Sequence, residues 1–83
     1  MVVGRNVRAG RGEIDLLVRW DGKLVAVEVK TRQGGDPRTS FTRDKASKVR
    51  ATMKRLKPRP QRLDLVAVEV GPAGADIRWL PGV

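Results

Sequence analysis

Two strand-like runs, "EIDLLVRW" from Glu13 to Trp20 and "KLVAVEVKT" from Lys23 to Thr31, are separated by Asp21-Gly22 alone. Asp-Gly between apolar runs is the strongest short-range hairpin signal, because a two-residue loop needs positive φ at both positions. A tight antiparallel hairpin therefore anchors the fold, and its register follows by counting. Trp20 faces Lys23, Val18 faces Val25, Leu16 faces Val27, Asp15 faces Glu28 and Glu13 faces Lys30.

Side chains alternate between the faces of a strand. One face then carries Ile14, Leu16, Val18, Trp20, Val25, Val27 and Val29, an expected core face. The other carries Glu13, Asp15, Glu28 and Lys30 at one end, with Leu17, Arg19, Leu24 and Ala26 toward the turn. Asp15 and Glu28 would sit with Cβ atoms about 4.5–5.5 Å apart, and like charges so placed repel. A divalent cation between them removes the penalty. Mg²⁺ takes oxygen ligands, needs few from protein and keeps waters for chemistry. Lys30, on the same face, can hold an attacking water or stabilise developing negative charge. The competing reading is a solvated polar face with a Glu13–Lys30 salt bridge and one tolerated acid pair.

Chemistry is bounded further by what is missing. With no cysteine and no histidine among 83 residues, thiolate metal sites, imidazole bases and catalytic triads are excluded. The chain carries 18 Lys and Arg against 9 Asp and Glu, a net charge of +9, which suits a polyanionic partner. It contains no apolar run long enough to span a bilayer, and "MVVGRNVRAG" has no apolar leader core, so a cytoplasmic protein without a membrane partner is expected.

Beyond the hairpin, an edge strand is expected over Asn6 to Ala9, and Arg32 to Phe41 is a loop by composition. A helix follows, with Thr42 as N-cap and Asp44 in the first turn. Its apolar stripe is Ala46, Val49, Met53 and Leu56, and Pro58 ends it. Phe41 is expected to staple onto Ala46. "RLDLVAVEV" (Arg62 to Val70) and "DIRWL" are further strands, so residues 1–83 form one α/β (α+β) domain. The helix region is almost uniformly basic. Arg43, Lys45, Lys48 and Arg55 form a phosphate-reading surface, and Arg11, Arg32, Arg38 and Arg43 bracket the acidic site. Trp20 and Trp79 are assigned to packing, and Asp64 to a strand end or salt bridge.

An Asp in one strand followed by Glu-x-Lys in the next is the PD-(D/E)xK signature of restriction-endonuclease-like nucleases. "RNVRAGRGEIDLLVRWDGKLVAVEVKTR" and "LDLVAVEV" resemble the bacterial YraN family, also called UPF0102, over nearly the whole chain. The resemblance implies an αβββαβ core with a mixed central sheet, whose N-terminal helix is missing ahead of Arg5-Asn6. It implies Mg²⁺- or Mn²⁺-dependent hydrolysis of phosphodiester bonds, in DNA rather than RNA, with branched or repair intermediates as candidate substrates. Asp15, Glu28 and the carbonyl of Val29 would bind metal, Lys30 would position the water, and Glu13 would be an auxiliary acid. The alternative is a non-catalytic, basic nucleic-acid-binding module that retains the nuclease fold. A third is an assembly subunit whose basic helix docks an acidic protein. A homodimer is expected, because a small sheet with an uncovered face tends to pair.

Overall fold

A computed structural model describes residues 1–35 and 41–83. The described elements are β1 (Val2–Ala9), β2 (Gly12–Trp20), β3 (Lys23–Gln33), α1 (Arg43–Met53), β4 (Arg62–Gly71) and β5 (Gly74–Leu80). They form one mixed sheet in the order β1-β2-β3-β4-β5, with one helix. Neighbours are antiparallel except β3 and β4, which are parallel and joined through α1, the crossover that parallel strands require. The fold is α+β and consistent with a restriction-endonuclease-like core, to which β5 adds an edge strand. No described helix is long and apolar enough to cross a membrane.

The anchoring hairpin forms as expected. Asp21 and Gly22 have φ of 52° and 72°, and Trp20↔Lys23 through Leu16↔Val27 pair in the counted register. β1 is longer than the expected Asn6–Ala9 segment and irregular. Its register with β2 shifts between Val2 and Gly4, and Asn6 takes φ of 50°. β3 likewise runs on to Gln33, past the expected start of the loop at Arg32.

The Thr42 hydroxyl accepts from the Lys45 N–H at 3.3 Å, so the cap is as expected. The helix stops sooner than its apolar stripe. Arg55 and Leu56 donate to the carbonyls of Thr52 and Met53, three residues back, so a tight turn replaces the last helical turn. Leu56 still reaches the core from that turn.

The core corrects the expected choice of face. Ile14, Ala26, Met53 and Leu63 form its centre, with Val7, Leu17, Phe41, Val49, Leu56 and Val83 packed around them. Phe41 thus packs on the main core. The helix covers the face of Leu24, Ala26 and Glu28, not that of Val25 and Val27. α1 packs chiefly on β2 and β1, Ala26 and Met53 meet in the core, and Leu63, Leu65 and Ala67 of β4 continue the same face. Ile14 and Leu17 contact one core although three residues apart, which strict alternation forbids. β2 therefore changes face between Ile14 and Leu17.

The other face carries Leu16, Val18, Trp20, Val25, Val27 and Val29 without a helix. Trp20 and Trp79 meet across it edge to face, centroids 5.8 Å apart, and remain 55% and 50% exposed. Asp64 is buried on this face and fully partnered. It accepts from Arg62 Nε and Nη2 at 2.8 and 2.9 Å, from Trp79 Nε1 at 2.8 Å and from the Gly82 N–H at 3.0 Å. The Arg62 guanidinium also lies 5.8 Å from the centroid of the Trp79 ring. The salt-bridging role expected of Asp64 holds.

Candidate active site

Asp15, Glu28 and Lys30 come together where β2 and β3 separate. The observed backbone register between these strands ends at Leu16↔Val27, so Asp15 and Glu28 are not a regular cross-strand pair. Instead each carboxylate accepts from the other strand's backbone. The Val29 N–H donates to Asp15 Oδ2 at 2.8 Å, and the Asp15 N–H donates to Glu28 Oε1 at 3.4 Å. The Asp15 carboxylate thus lies toward β3, in the place of a ladder bond beyond Leu16↔Val27.

Glu28 is buried, at 6% exposure, on the helix-covered face. Lys30 is partly exposed, and its Nζ lies 4.0 Å from Glu28 Oε2, the outer limit of an ion pair. Burial, reinforced by the Asp15 carboxylate, pushes the Glu28 carboxyl up to about 7. Lys30 and the backbone donor offset this only in part. Glu28 thus holds its proton more tightly than a solvated glutamate does. A group of that kind in a partly open site is a candidate for function.

A strand residue's N–H and C=O point to the same neighbour. The Val29 N–H faces Asp15, so the Val29 carbonyl also faces the gap between β2 and β3. Two carboxylates and one carbonyl make a hard oxygen donor set, which suits a cation that keeps several waters, as Mg²⁺ does. No cluster of three or more potential Asp or Glu metal ligands occurs among the described residues. Among the described residues, the acids brought together here are Asp15 and Glu28.

Glu13 is not part of the pair. It lies across from Arg8 in β1, with N···O 3.7 Å, rather than across from Lys30. The β2–β3 register ends at Leu16↔Val27, short of the Glu13–Lys30 pairing that counting implied. Glu13 instead lines a groove of about 500 Å³ between the β1–β2 turn and α1. Arg11, Lys48 and Arg55 line the same groove, so three of the expected phosphate-binding residues converge there, whereas Asp15, Glu28 and Lys30 do not line it. Arg43 and Lys45 are exposed at the start of α1, away from that groove, and Arg32 is exposed near the end of β3. Arg38 lies outside the described residues.

Two residues with no expected role shape the groove. A Cβ on Gly12 would fall 1.8 Å from Thr52 Oγ1, so only glycine lets β2 start this close to α1. Thr52 is buried, and its hydroxyl donates to the Lys48 carbonyl at 3.1 Å. The glycine pair in "AGRGEID" was the available signal.

A family model described as "Uncharacterised protein family UPF0102" matches residues 1–68. The chain is 43% identical over 82 residues to a UPF0102 protein of Symbiobacterium thermophilum, covering 88% of this chain and 70% of that one. It is 39% identical over 80 residues to one from Roseiflexus castenholzii, covering 84% and 64% respectively. It is 40% identical over 87 residues to one from Streptomyces coelicolor, covering 92% and 67%. The aligned region thus spans between 64% and 70% of these relatives' lengths.

Proposed function

The chain belongs to the UPF0102 family, and from that premise we propose that it is a Mg²⁺- or Mn²⁺-dependent nuclease that hydrolyses phosphodiester bonds in DNA. The observation that carries this reading is the Asp15–Glu28 pair beside Lys30, with Glu28 buried, poised near neutrality and short of full compensation. An acid kept in that condition destabilises the fold unless a cation or substrate completes it.

Asp15, Glu28 and the Val29 carbonyl would hold the metal, which when bound would polarise a phosphoryl oxygen and lower the pKa of a water. Lys30 orients the attacking water and balances negative charge at the phosphorus. The water oxygen bonds to phosphorus, the bond to the leaving sugar oxygen breaks, and the proton lost by the water ends on that oxygen. Arg11, Lys48 and Arg55 grip flanking phosphates in the groove beside Glu13. Branched and repair intermediates are candidate substrates, and the cytoplasm is the proposed compartment.

The test is incubation of purified protein with linear duplex DNA, a four-way DNA junction and a matched RNA, each with Mg²⁺ or Mn²⁺. DNA cleavage is expected, and Asp15→Asn should lower its rate by on the order of 100-fold or more. Cleavage that survives Asp15→Asn would remove the site assignment. Binding that weakens steeply between about 50 and 200 mM salt, with no cleavage, would favour the non-catalytic module instead.

A further inference from the structure

The two edges of the sheet are built differently. β1 carries a register shift, a positive-φ asparagine, and Arg5 and Arg8, all devices that discourage another strand from adding to an edge. β5 has neither the register shift nor the positive-φ asparagine, and its two charged residues, Asp76 and Arg78, are of opposite sign. Gly74–Leu80 pairs with β4 in unbroken register, contains no lysine or proline, and is exposed along almost its full length. Ile77 is 70% exposed and Trp79 50%.

The free edge of β5 has a definite hydrogen-bonding phase. The Val70 carbonyl accepts from the Gly34 N–H at 3.2 Å, so the backbone of Val70 points toward β3 and away from Ala75, its partner in β5. Opposed residues alternate between bonded and non-bonded pairs along an antiparallel ladder. Ala75, Ile77 and Trp79 therefore direct their N–H and C=O groups outward.

We propose that β5 pairs antiparallel with β5 of a second copy of this chain, about a two-fold axis at Ile77, giving a continuous sheet across a homodimer. Ile77 then faces Ile77 of the partner subunit, and each Trp79 faces the small Ala75 of the other copy. All are bonded pairs, so the outward groups of both strands are satisfied. Asp76 and Arg78 fall opposite each other across the axis in non-bonded pairs, the positions where side chains approach most closely. Both ends of the interface thereby gain an opposite-charge pair. Within one chain Asp76 instead lies across from Glu69, a like-charge neighbour, and Arg78 lies across from Ala67. The second copy places an arginine directly opposite Asp76. The axis runs normal to the sheet, so the helix-free faces join into one apolar surface and both α1 helices lie on the other side.

This inference does not depend on nuclease activity, and its test reads mass rather than cleavage. Sedimentation or light scattering of the full chain at physiological salt should show a concentration-dependent dimer. Asp76→Arg places two arginines opposite each other at both ends and should weaken dimerisation at least about ten-fold. The double variant Asp76→Arg/Arg78→Asp restores the opposite-charge pairs and should recover the wild-type dissociation constant. Both positions are exposed, so circular dichroism should confirm that every variant stays folded. A wild-type monomer at the highest soluble concentration would overturn the proposal. So would a dimer whose affinity ignores the single substitution, or a double variant that stays as weak as the single.

Discussion

Glu28 and Asp64 are both buried carboxylates on adjacent strands, one step apart in the β3–β4 register, on opposite faces of the sheet. Their treatment differs. Asp64 accepts from a bidentate arginine, an indole and a backbone amide. Burial alone would raise its carboxyl, but Arg62, Gly82 and Trp79 outweigh burial and hold it below the usual range. Glu28 has a 3.4 Å backbone donor, a lysine at 4.0 Å and a second acid against it, so burial wins and its carboxyl rises to about 7. Burial by itself is thus no marker of function. A buried acid that is fully partnered organises structure, whereas one left short of donors is held ready for something else.

The contrast can be broken most forcefully at Asp64. Asp64→Ala leaves the Arg62 guanidinium, the Trp79 indole and the Gly82 amide without their acceptor, and should destabilise the fold by about 3–5 kcal/mol. Urea titration would register this as a large fall in midpoint. A loss below about 1 kcal/mol would mean that the network is ornamental.

The two acids should also respond oppositely to pH. A raised carboxyl means that the folded chain binds its proton more tightly than the unfolded chain does. With metal chelated, Glu28 should therefore lower stability as pH climbs from about 4.5 to about 7, by up to about 3 kcal/mol, with no further change above that window. The Asp64 contribution has the other sign. It is present above about pH 4 and is lost as pH falls through its lowered folded value. Thermal melts of wild type and Glu28→Gln across pH 4 to 8 separate them, since the difference between the proteins isolates Glu28. Parallel curves would contradict its raised carboxyl.

A milder probe is Trp79→Phe, which keeps a ring against Trp20 but removes one donor to Asp64. It should cost about 1 kcal/mol, a melting shift of about 4–8 °C for a chain this size.

Some of this was legible in the sequence. Asp21-Gly22 determined the hairpin and the register near it, because the turn's φ requirement is local. The Asp15–Glu28–Lys30 grouping followed, since counting from the turn holds as far as Leu16↔Val27 and nearly holds one step on. What failed needed long-range information. Apolar residues occupy both faces of β3, so its pattern could not say which face α1 would cover. The change of face in β2 depends on how Ile14 and Leu17 both reach one core, and the pairing of Glu13 with Arg8 depends on the β1 register. The Asp64 network draws on Trp79 and Gly82, far along the chain and on no motif. The early helix end at Met53 reflects a tight turn that still delivers Leu56, and periodicity cannot distinguish that turn from more helix.

The single parallel pairing, β3 with β4, has a kinetic consequence. The other three strand pairs each close through a short turn and can form early. β3 and β4 meet only after the chain between Gln33 and Arg62 has closed on itself, and such non-local contacts set the pace of folding. Asp15, Glu28 and Lys30 all belong to the early meander, whereas Glu28 gains Leu65 as its register neighbour only at that late step. In the finished domain that neighbour helps to bury the carboxylate.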